Sequence, residues 1–546
     1  MTGKPTSRQL HPSAHQDTFA RDHLPPPHAW PELVFDLPEL QYPDRLNCAG
    51  ELLDRRLETG DGNRVALRAP WITWTYEDLH AHATRIAHVL RDDMGLVPGN
   101  RVLLHGPNTP MLAAAWFAVQ KAGGVAVSTM SILRAADLRK VIEKARVTHA
   151  LCDERCLGEL ELARRDCPWL DRVLTFTPDG GELARRAADK PASFENVDTA
   201  ADDVCLIAFT SGTTGQPKGC MHFHRDVLAI CDTFARHVLK ADPDDVFIGS
   251  PPLAFTFGLG GLLLFPVRIG ASSVLLEKTA PPQLLAGIRD FRATVCFTAP
   301  TSYRAMAATG DRDAVRSLRK CVSAGEVLPA ATREQWRIFT GIEMIDGIGA
   351  TEMLHIFISA DEHEARAGCT GKPVPGFQAV VLDDAGQPLP PGRVGRLAVR
   401  GPTGCRYLDD ERQGQYVQRG WNVTGDAYVM TDDGYFSFQA RTDDMIISSG
   451  YNIAGPEVEA ALLLHPAVAE CAVVGIPDEL RGQVVKACVV LHAGTPATDD
   501  LKRELQQFVK DRIAPYKYPR VIEFRDALPK TPTGKLQRYQ LRVETA

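Results

Sequence analysis

The sequence predicts an α/β protein: a large N-terminal domain of layered α/β subdomains with a β-rich subdomain, joined to a small α+β C-terminal domain. Three observations carry this. Between Tyr76 and Cys152, helical apolar spacing alternates with short apolar runs, the pattern of a largely parallel sheet covered by helices. Past Gly371 the texture changes to short strand-like runs separated by Asp, Gly and Pro turns, the pattern of a small β-rich unit. Finally, 546 residues exceed what one compact core organises, so two or more domains are expected.

Taken in order, 46–57 reads as a helix, and from Tyr76 the positions Leu79, Ala83, Ile86, Ala87 and Leu90 recur at helical spacing. Strands are expected at 101–105, 124–128 and 148–152, with helices over 111–121 and 135–145. A second α/β region has strands at 272–277 and 294–298 flanking a helix over 282–291. The β-rich part reads as strands at 378–383, 395–400 and 434–438. Beyond Asp443 the pattern is mixed: helix 456–464, strands 469–474 and 484–491, helix 500–512. The break falls at 440–444, dividing the chain into 1–440, a junction at 441–444, and 445–546.

Composition excludes several classes. With 44% hydrophobic and 24% charged residues the chain reads as an ordinary globular protein. A net charge of −7 gives no reason to expect nucleic acid or an anionic membrane as partner. The 13 cysteines are scattered, and the closest pair, Cys152 and Cys156, has no histidine at zinc-finger spacing, which fits reduced structural thiols in a cytoplasmic protein. Residues 1–31 are polar, with no apolar core of a secretory signal. The most apolar stretch, 251–267, is broken by Pro252, Pro266 and glycines and falls short of the roughly 20 residues a membrane helix needs; it reads as buried core.

The stretch with the most chemistry is 209–219, where Thr210, Ser211, Thr213 and Thr214 are interleaved with Gly212, Gly215 and Gly219 and a single lysine, Lys218. Glycines let backbone N–H groups approach a ligand, hydroxyls donate, and the lysine adds a point charge, which together suit phosphate. The apolar run 204–209 before it reads as a buried strand, and Val227, Cys231, Phe234, Ala235 and Val238 after it have helical spacing, so a strand–loop–helix phosphate site is expected. It is not the P-loop pattern, because Gly219 follows the lysine where a hydroxyl would be required. A plain surface linker is the alternative, and the preceding strand and internal lysine argue against it.

These residues resemble the signature loop of the adenylate-forming enzymes, the acyl- and aryl-CoA ligases, luciferases and adenylation domains. Other segments extend the resemblance over nearly the whole chain, in the family's order. The segment 346–352, D-G-I-G-A-T-E, is similar to the family's Y-G-x-T-E motif. The resemblance implies that Thr351 touches the α-phosphate of ATP and that Glu352 holds Mg2+, an ion suited to hard oxygen ligands. Ala324, Gly325 and Glu326 would supply backbone along the adenine, with Asp346, Gly347, Ile348 and Gly349 completing the nucleotide site; Ile348 replaces the usual aromatic, as in benzoate-type ligases. Asp426 would accept from both ribose hydroxyls, and Arg441 would approach the nucleotide. Asp443 would be the hinge about which a mobile C-terminal domain turns, and Gly450 would lie against the thiol of coenzyme A. Lys535 would be the catalytic lysine of adenylation, stabilising charge on the α-phosphate, while Lys218 and the 210–215 loop would clamp the β- and γ-phosphates.

The acid pocket implied by the resemblance is lined by Thr256, Phe257, Ala350, Leu354 and His355, short enough for one aromatic ring. His222 and His224 either line its carboxylate end or are ordinary surface histidines. Segments 346–356 and 514–519 resemble the benzoate-CoA ligase branch, and 13–22 with 35–38 resemble its 2-aminobenzoate ligases. The implied activity is ATP- and Mg2+-dependent ligation of a small aromatic carboxylic acid to coenzyme A, releasing pyrophosphate and AMP. Loading of an acid onto a carrier protein is the alternative, and nucleotide binding without catalysis a third. No nucleic acid or membrane is expected as partner, and the sequence leaves open whether the protein is a homodimer.

Overall fold

The computed structural model describes residues 10–210, 217–441, 444–448, 451–478, 481–530 and 536–543. Four sheets organise these residues. β1 (Val65–Ala69) and β2 (Ile72–Thr75) open a sheet that is completed much later in the chain. β3 (Arg101–Gly106), β4 (Val125–Met130), β5 (His149–Asp153), β6 (Arg172–Phe176), β7 (Val204–Thr210) and β8 (Lys218–Phe223) form a six-stranded sheet of order β6-β5-β3-β4-β7-β8. Only β8 runs antiparallel to its neighbour there. β9 (Val246–Gly249), β10 (Ser272–Val274), β11 (Val295–Thr298), β12 (Lys320–Ser323), β13 (Ile345–Gly349), β14 (Ile356–Ser359) and β15 (Lys372–Pro373) join the first two strands in order β15-β14-β13-β12-β11-β9-β10-β1-β2. The antiparallel pairings in this sheet lie at its ends.

The packing between these two sheets follows from one helix. Pro110–Lys121 is buried along its whole length and touches β3 and β4 on one sheet and β1 on the other. A helix whose residues 110–119 are all apolar has to be enclosed. Its start is set by Pro110 and by the Thr109 hydroxyl, which accepts from the Leu112 N–H at 3.1 Å. The neighbouring helix Tyr76–His88 begins with a reciprocal cap: Thr75 accepts from the Asp78 N–H, and Asp78 accepts from the Thr75 N–H. The apolar stretch over 251–267 folds into buried helical turns with Leu262, Leu263, Leu264 and Phe265 inside, as expected. Among the described residues no helix is long and apolar enough to cross a membrane.

The β-rich part consists of β16 (Gln378–Leu382), β17 (Val394–Arg400), β18 (Val417–Gln418), β19 (Trp421–Met430) and β20 (Phe436–Arg441). The C-terminal part contains β21 (Ile446–Ser448), β22 (Tyr451–Ile453), β23 (Val468–Asp478), β24 (Gly482–Leu491) and β25 (Val521–Phe524), with helices Gly455–Leu462 and Asp499–Lys510. Its core, including Ile446, Val458, Leu462, Val473, Val485, Leu505 and Val509, is built from residues of this part alone.

One expectation fails. The stretch after the glycine-rich loop enters a strand, β8, before the helix that begins at His224. The reason is pairing: β8 lies antiparallel to β7 with Thr210 opposite Lys218, so residues 218–223 extend the sheet before the helix can start. On its other side β8 is covered by residues 405–408, through Met221 N–H to the Arg406 carbonyl and Leu408 N–H to the Gly219 carbonyl, both at 2.8 Å.

The N-terminal segment straps this sheet. His11 meets Asp202 at 2.9 Å, Ala14 N–H reaches Asp203, and Asp17 pairs with Arg101 at 2.5 Å. Beneath β8, Arg406 and Asp226 form an ion pair whose side chains are both fully buried. His222 extends it, with Nδ1 3.7 Å from Asp226 and Nε2 donating to the Thr351 carbonyl at 2.8 Å. Arg406→Ala leaves Asp226 charged and unpaired in the core, so it is expected to cost about 3–5 kcal/mol, read as a large fall in Tm. An Arg406→Met, Asp226→Leu double variant should recover much of that loss.

Candidate active site

The turn Thr351–Met353, between β13 and β14, is held from two sides: by His222 at the Thr351 carbonyl and by the Thr403 hydroxyl, which donates to the Met353 carbonyl at 2.8 Å. The next residue, Leu354, is fully buried at φ +68°, a left-handed conformation a leucine adopts only when packing imposes it. The turn delivers Glu352 into the interior at 7% exposure. There its carboxylate meets Lys218, the first residue of β8, at 3.4 Å. Tyr407, from the strand-like segment over β8, completes the cluster: its hydroxyl accepts from Lys218 at 2.7 Å and donates to Glu352 Oε1. The Lys218 ammonium also lies 4.7 Å from the Tyr407 ring centre and 5.9 Å from that of Tyr416. Burial drives the Tyr407 pKa far up, helped by the nearby charge of Glu352, so its proton stays on oxygen.

A second wall is made by the ends of β12 and β13. Ala324 is buried, and Gly325 turns at φ +88°. Burial raises the pKa of Glu326, which accepts weakly from Thr301 at 3.4 Å. Asp346 keeps some exposed surface, but its Oδ1 atom is buried without a hydrogen-bond partner. Desolvation pushes its pKa up to about 7 against the opposing charge of Arg333. Gly347 and Gly349 face the following strand so closely that a Cβ would lie 2.8 Å from Ile356 and 2.9 Å from the His355 backbone. Ile348 is half-buried opposite Ile358.

On β19, Asp426 is 8% exposed and pairs with Arg441 at 3.1 Å. Gly425 makes room: it sits at φ +78°, and a Cβ there would lie 3.1 Å from the Arg441 guanidinium. Burial, and then the nearby charge of Asp426, push the pKa of Tyr428 far up.

The third feature is an aromatic box. His355 is 2% exposed, with its ring 4.6 Å from Phe265, 5.5 Å from Phe234 and 5.7 Å from Phe257. Gly260 permits this, since a Cβ there would fall 2.5 Å from the imidazole. Neither ring nitrogen makes a hydrogen bond of good geometry. Burial drives the pKa down to about 3, the Phe257 backbone opposing it only in part, so the ring is neutral. Phe257 and Thr256 are half-buried, as is Ala350.

Of the residues singled out in the sequence, Lys218, Thr351 and Glu352 meet at one turn, and Phe257, Leu354 and His355 gather around its continuation. Ser211, Gly212, Thr213, Thr214, Gly215, Asp443, Gly450 and Lys535 lie outside the described residues; Thr210 is the last described residue before the loop. His222 and His224 are fully buried, which overturns the surface reading of both: His222 lies against Asp226 and the Thr351 carbonyl, and His224 against the Cys48 backbone. His224 Nδ1 accepts from the Cys48 N–H at 3.2 Å, and its ring, Cys48 and Cys205 offer donor atoms within 4.8 Å of one another. That grouping escapes sequence spacing, since its members come from distant segments. Tyr407 and Tyr416 were also missed: they become part of the site only when 405–408 pairs with β8.

The AMP-binding enzyme family model matches residues 53–406, and the model of the AMP-binding enzyme C-terminal domain matches 457–535. The chain belongs to the AMP-binding enzyme family. Within this family it is similar to a benzoate–CoA ligase of Thauera aromatica, 35% identical over 92% of this chain and 97% of that relative. It is also similar to a mitochondrial acyl-coenzyme A synthetase of Mus musculus, ACSM3, 33% identical over 92% of this chain and 91% of that one. Among solved structures, the anthranilate CoA ligase AuaEII in complex with anthranoyl-AMP has a TM-score of 0.88 and 33% identity over 93% of this chain and 99% of that chain. The family expected from the motifs is the family that matches, and the mixed α/β architecture with a large N-terminal and a small C-terminal domain is shared with the solved AMP-binding enzymes.

Asp346 gives this wall a measurable signature. Its ordinary pKa is 3.8 and its folded value about 7, so the native state holds the proton more tightly than the unfolded chain. Below pH 4 the two states bind it alike; as pH climbs towards 7 the unfolded chain ionises first and folding stability is lost. Asp346→Asn is therefore expected to gain stability relative to the parent as pH rises from 4 to 7 and to level off above, measured as the difference in Tm across that range.

Proposed function

We propose that the protein is an ATP-dependent aryl-CoA ligase. It converts an aromatic carboxylate, 2-aminobenzoate or benzoate, to its CoA thioester through an aroyl-adenylate, releasing pyrophosphate and AMP. The observation that carries this reading is the Lys218–Tyr407–Glu352 cluster at the foot of the glycine- and hydroxyl-rich loop, three residues before a neutral histidine in an aromatic box. The first part suits polyphosphate and its cation; the second suits one flat ring. Similarity to benzoate and anthranilate CoA ligases supports the acid and the acceptor.

In this reading Lys218 and the 210–215 loop hold the β- and γ-phosphates, and Thr351 contacts the α-phosphate. Glu352 fits Mg2+: it is a hard, buried oxygen donor whose charge an ammonium already balances. The bound cation would supply neutralisation of the triphosphate. Ala324, Gly325, Glu326 and the run from Asp346 to Gly349 line the adenine, and the unpartnered Asp346 Oδ1 suits its exocyclic amine. Asp426 accepts from the ribose hydroxyls beside Arg441. Thr256, Phe257, Ala350, Leu354 and His355 enclose the acid, and the two unspent nitrogens of His355 suit a small polar ring substituent.

The two half-reactions ask for different groups around one adenylate. We assign the division 1–440, 441–444 and 445–546 to that need, with the C-terminal domain turning at Asp443. The turn withdraws Lys535, which stabilises charge on the α-phosphate during adenylation, and brings Gly450 beside the incoming thiol. A cytoplasmic setting, with its ATP, coenzyme A and reduced thiols, fits this chemistry.

Lys535→Ala is expected to slow adenylation about 100-fold or more, measured as pyrophosphate release with the aromatic acid. Thioester formation from supplied aroyl-adenylate and coenzyme A should stay within a few-fold of the parent. Equal loss of both half-reactions would remove the role given to Lys535.

A further inference from the structure

The cluster around Glu352 contains one group that the family-level reading leaves without a task. We propose that Tyr407 is a positioning residue of the nucleotide site: its hydroxyl holds Lys218 and Glu352 as a mutually neutralising pair before ATP binds, and releases Lys218 to the phosphates and Glu352 to their divalent cation. This rests on the proposed roles of Lys218 and Glu352.

The hydrogen-bond arithmetic motivates it. A phenol has one proton and two acceptor sites. Tyr407 donates a hydrogen bond to Glu352 Oε1 and accepts one from the Lys218 ammonium at 2.7 Å, while the ammonium and carboxylate themselves stand 3.4 Å apart. The hydroxyl is therefore the shorter bridge between the two charges. The charges are also poorly hydrated: the Glu352 side chain is 9% exposed and that of Lys218 21%. A carboxylate this deep needs a permanent counter-charge, because leaving it unpaired is strongly destabilising.

Charge balance explains why the pair can open. In the closed cluster one ammonium faces one carboxylate. With nucleotide bound, the ammonium faces a phosphate and the carboxylate faces a divalent cation, so neither buried charge is left bare. A hydroxyl that both accepts and donates can remain beside either partner through this exchange, whereas a cationic or anionic side chain at 407 would commit the site to one state.

The scaffold behind Tyr407 is rigid. Its N–H donates to Gln413 Oε1 at 2.8 Å, and Gln413 in turn donates to the Ala29 carbonyl at 2.8 Å and the Cys405 carbonyl at 3.1 Å. Its backbone bridges to Cys220, two residues after Lys218. The Tyr416 ring meets it edge-on at 5.8 Å, closing an aromatic wall under the ammonium. The Tyr416 hydroxyl is buried without a hydrogen-bond partner, which leaves one more donor beside the pair.

Tyr407→Phe removes one oxygen and keeps the ring. Equilibrium calorimetry should show the affinity for ATP in the presence of Mg2+ reduced about ten-fold, with the half-saturating Mg2+ concentration raised. The affinity for AMP, which lacks the β- and γ-phosphates, should change less than two-fold. Equal weakening of ATP and AMP together with a fall in Tm would make Tyr407 merely structural, and unchanged ATP affinity would remove it from the site; either result overturns the proposal. Lys218→Ala and Glu352→Gln separate the two levels. If neither weakens ATP binding, the underlying assignment fails; if both do while Tyr407→Phe does not, only the positioning role fails. A second readout needs no stable variant: 3-fluorotyrosine at 407 in the otherwise intact chain should shift its 19F resonance with ATP and Mg2+ but not with AMP, and an unmoved resonance would contradict the proposal.

Discussion

The structure around the site depends on accommodating one carboxylate, that of Glu352, inside the protein. Desolvating an anion is costly unless a counter-charge and hydrogen bonds are built around it. Here they come from two places: Lys218 on β8 and Tyr407 on the segment that covers β8. Neither is near Glu352 in sequence. The hairpin of β7 and β8, the turn after β13 and the segment at 405–408 must therefore meet at one point, and the chain between them is arranged to let them.

Much of the surrounding core serves that meeting. The fully buried Arg406–Asp226 pair fixes residue 406 alongside β8, and His222 carries the constraint onward to the Thr351 carbonyl. Leu354 is held at a positive φ where the turn reverses into β14, directing His355 into the aromatic box. Glycines are placed where a side chain would spoil these approaches: Gly260 against the His355 ring and Gly425 under Arg441. On the proposed assignment the nucleotide-facing and acid-facing groups share one short stretch of chain, so the position of the Glu352 carboxylate and that of the His355 ring are set together.

The outline of this was legible in the sequence because it rests on local patterns. Helical spacing from Leu79 to Leu90 and the apolar runs at 101–105 and 148–152 mark elements that stand where the periodicity puts them. The hydroxyl–glycine loop and the segment ending in Thr351 and Glu352 carry their chemistry in consecutive residues, so Lys218, Glu352 and His355 could be named from spacing and resemblance. What was not legible is long-range. β8 was missed because residues 218–223 gain strand character from partners on both sides, one of them nearly two hundred residues away. Tyr407 has no local signature; its role arises from a bond to a carboxylate 55 positions earlier. The burial of His222 and His224 has the same origin, since their cover comes from elsewhere in the chain.

The central claim, that this site joins a flat aromatic acid to coenzyme A at the expense of ATP, is tested most directly by one product assay. ATP, Mg2+ and coenzyme A are supplied with benzoate, 2-aminobenzoate, hydroxybenzoates, cinnamates and medium-chain fatty acids in turn, and the thioester, AMP and pyrophosphate are quantified. The account predicts equimolar aroyl-CoA, AMP and pyrophosphate, with the highest kcat/KM on a single-ring benzoate. Preferential formation of medium-chain acyl-CoA, or pyrophosphate release without any CoA thioester, would contradict it.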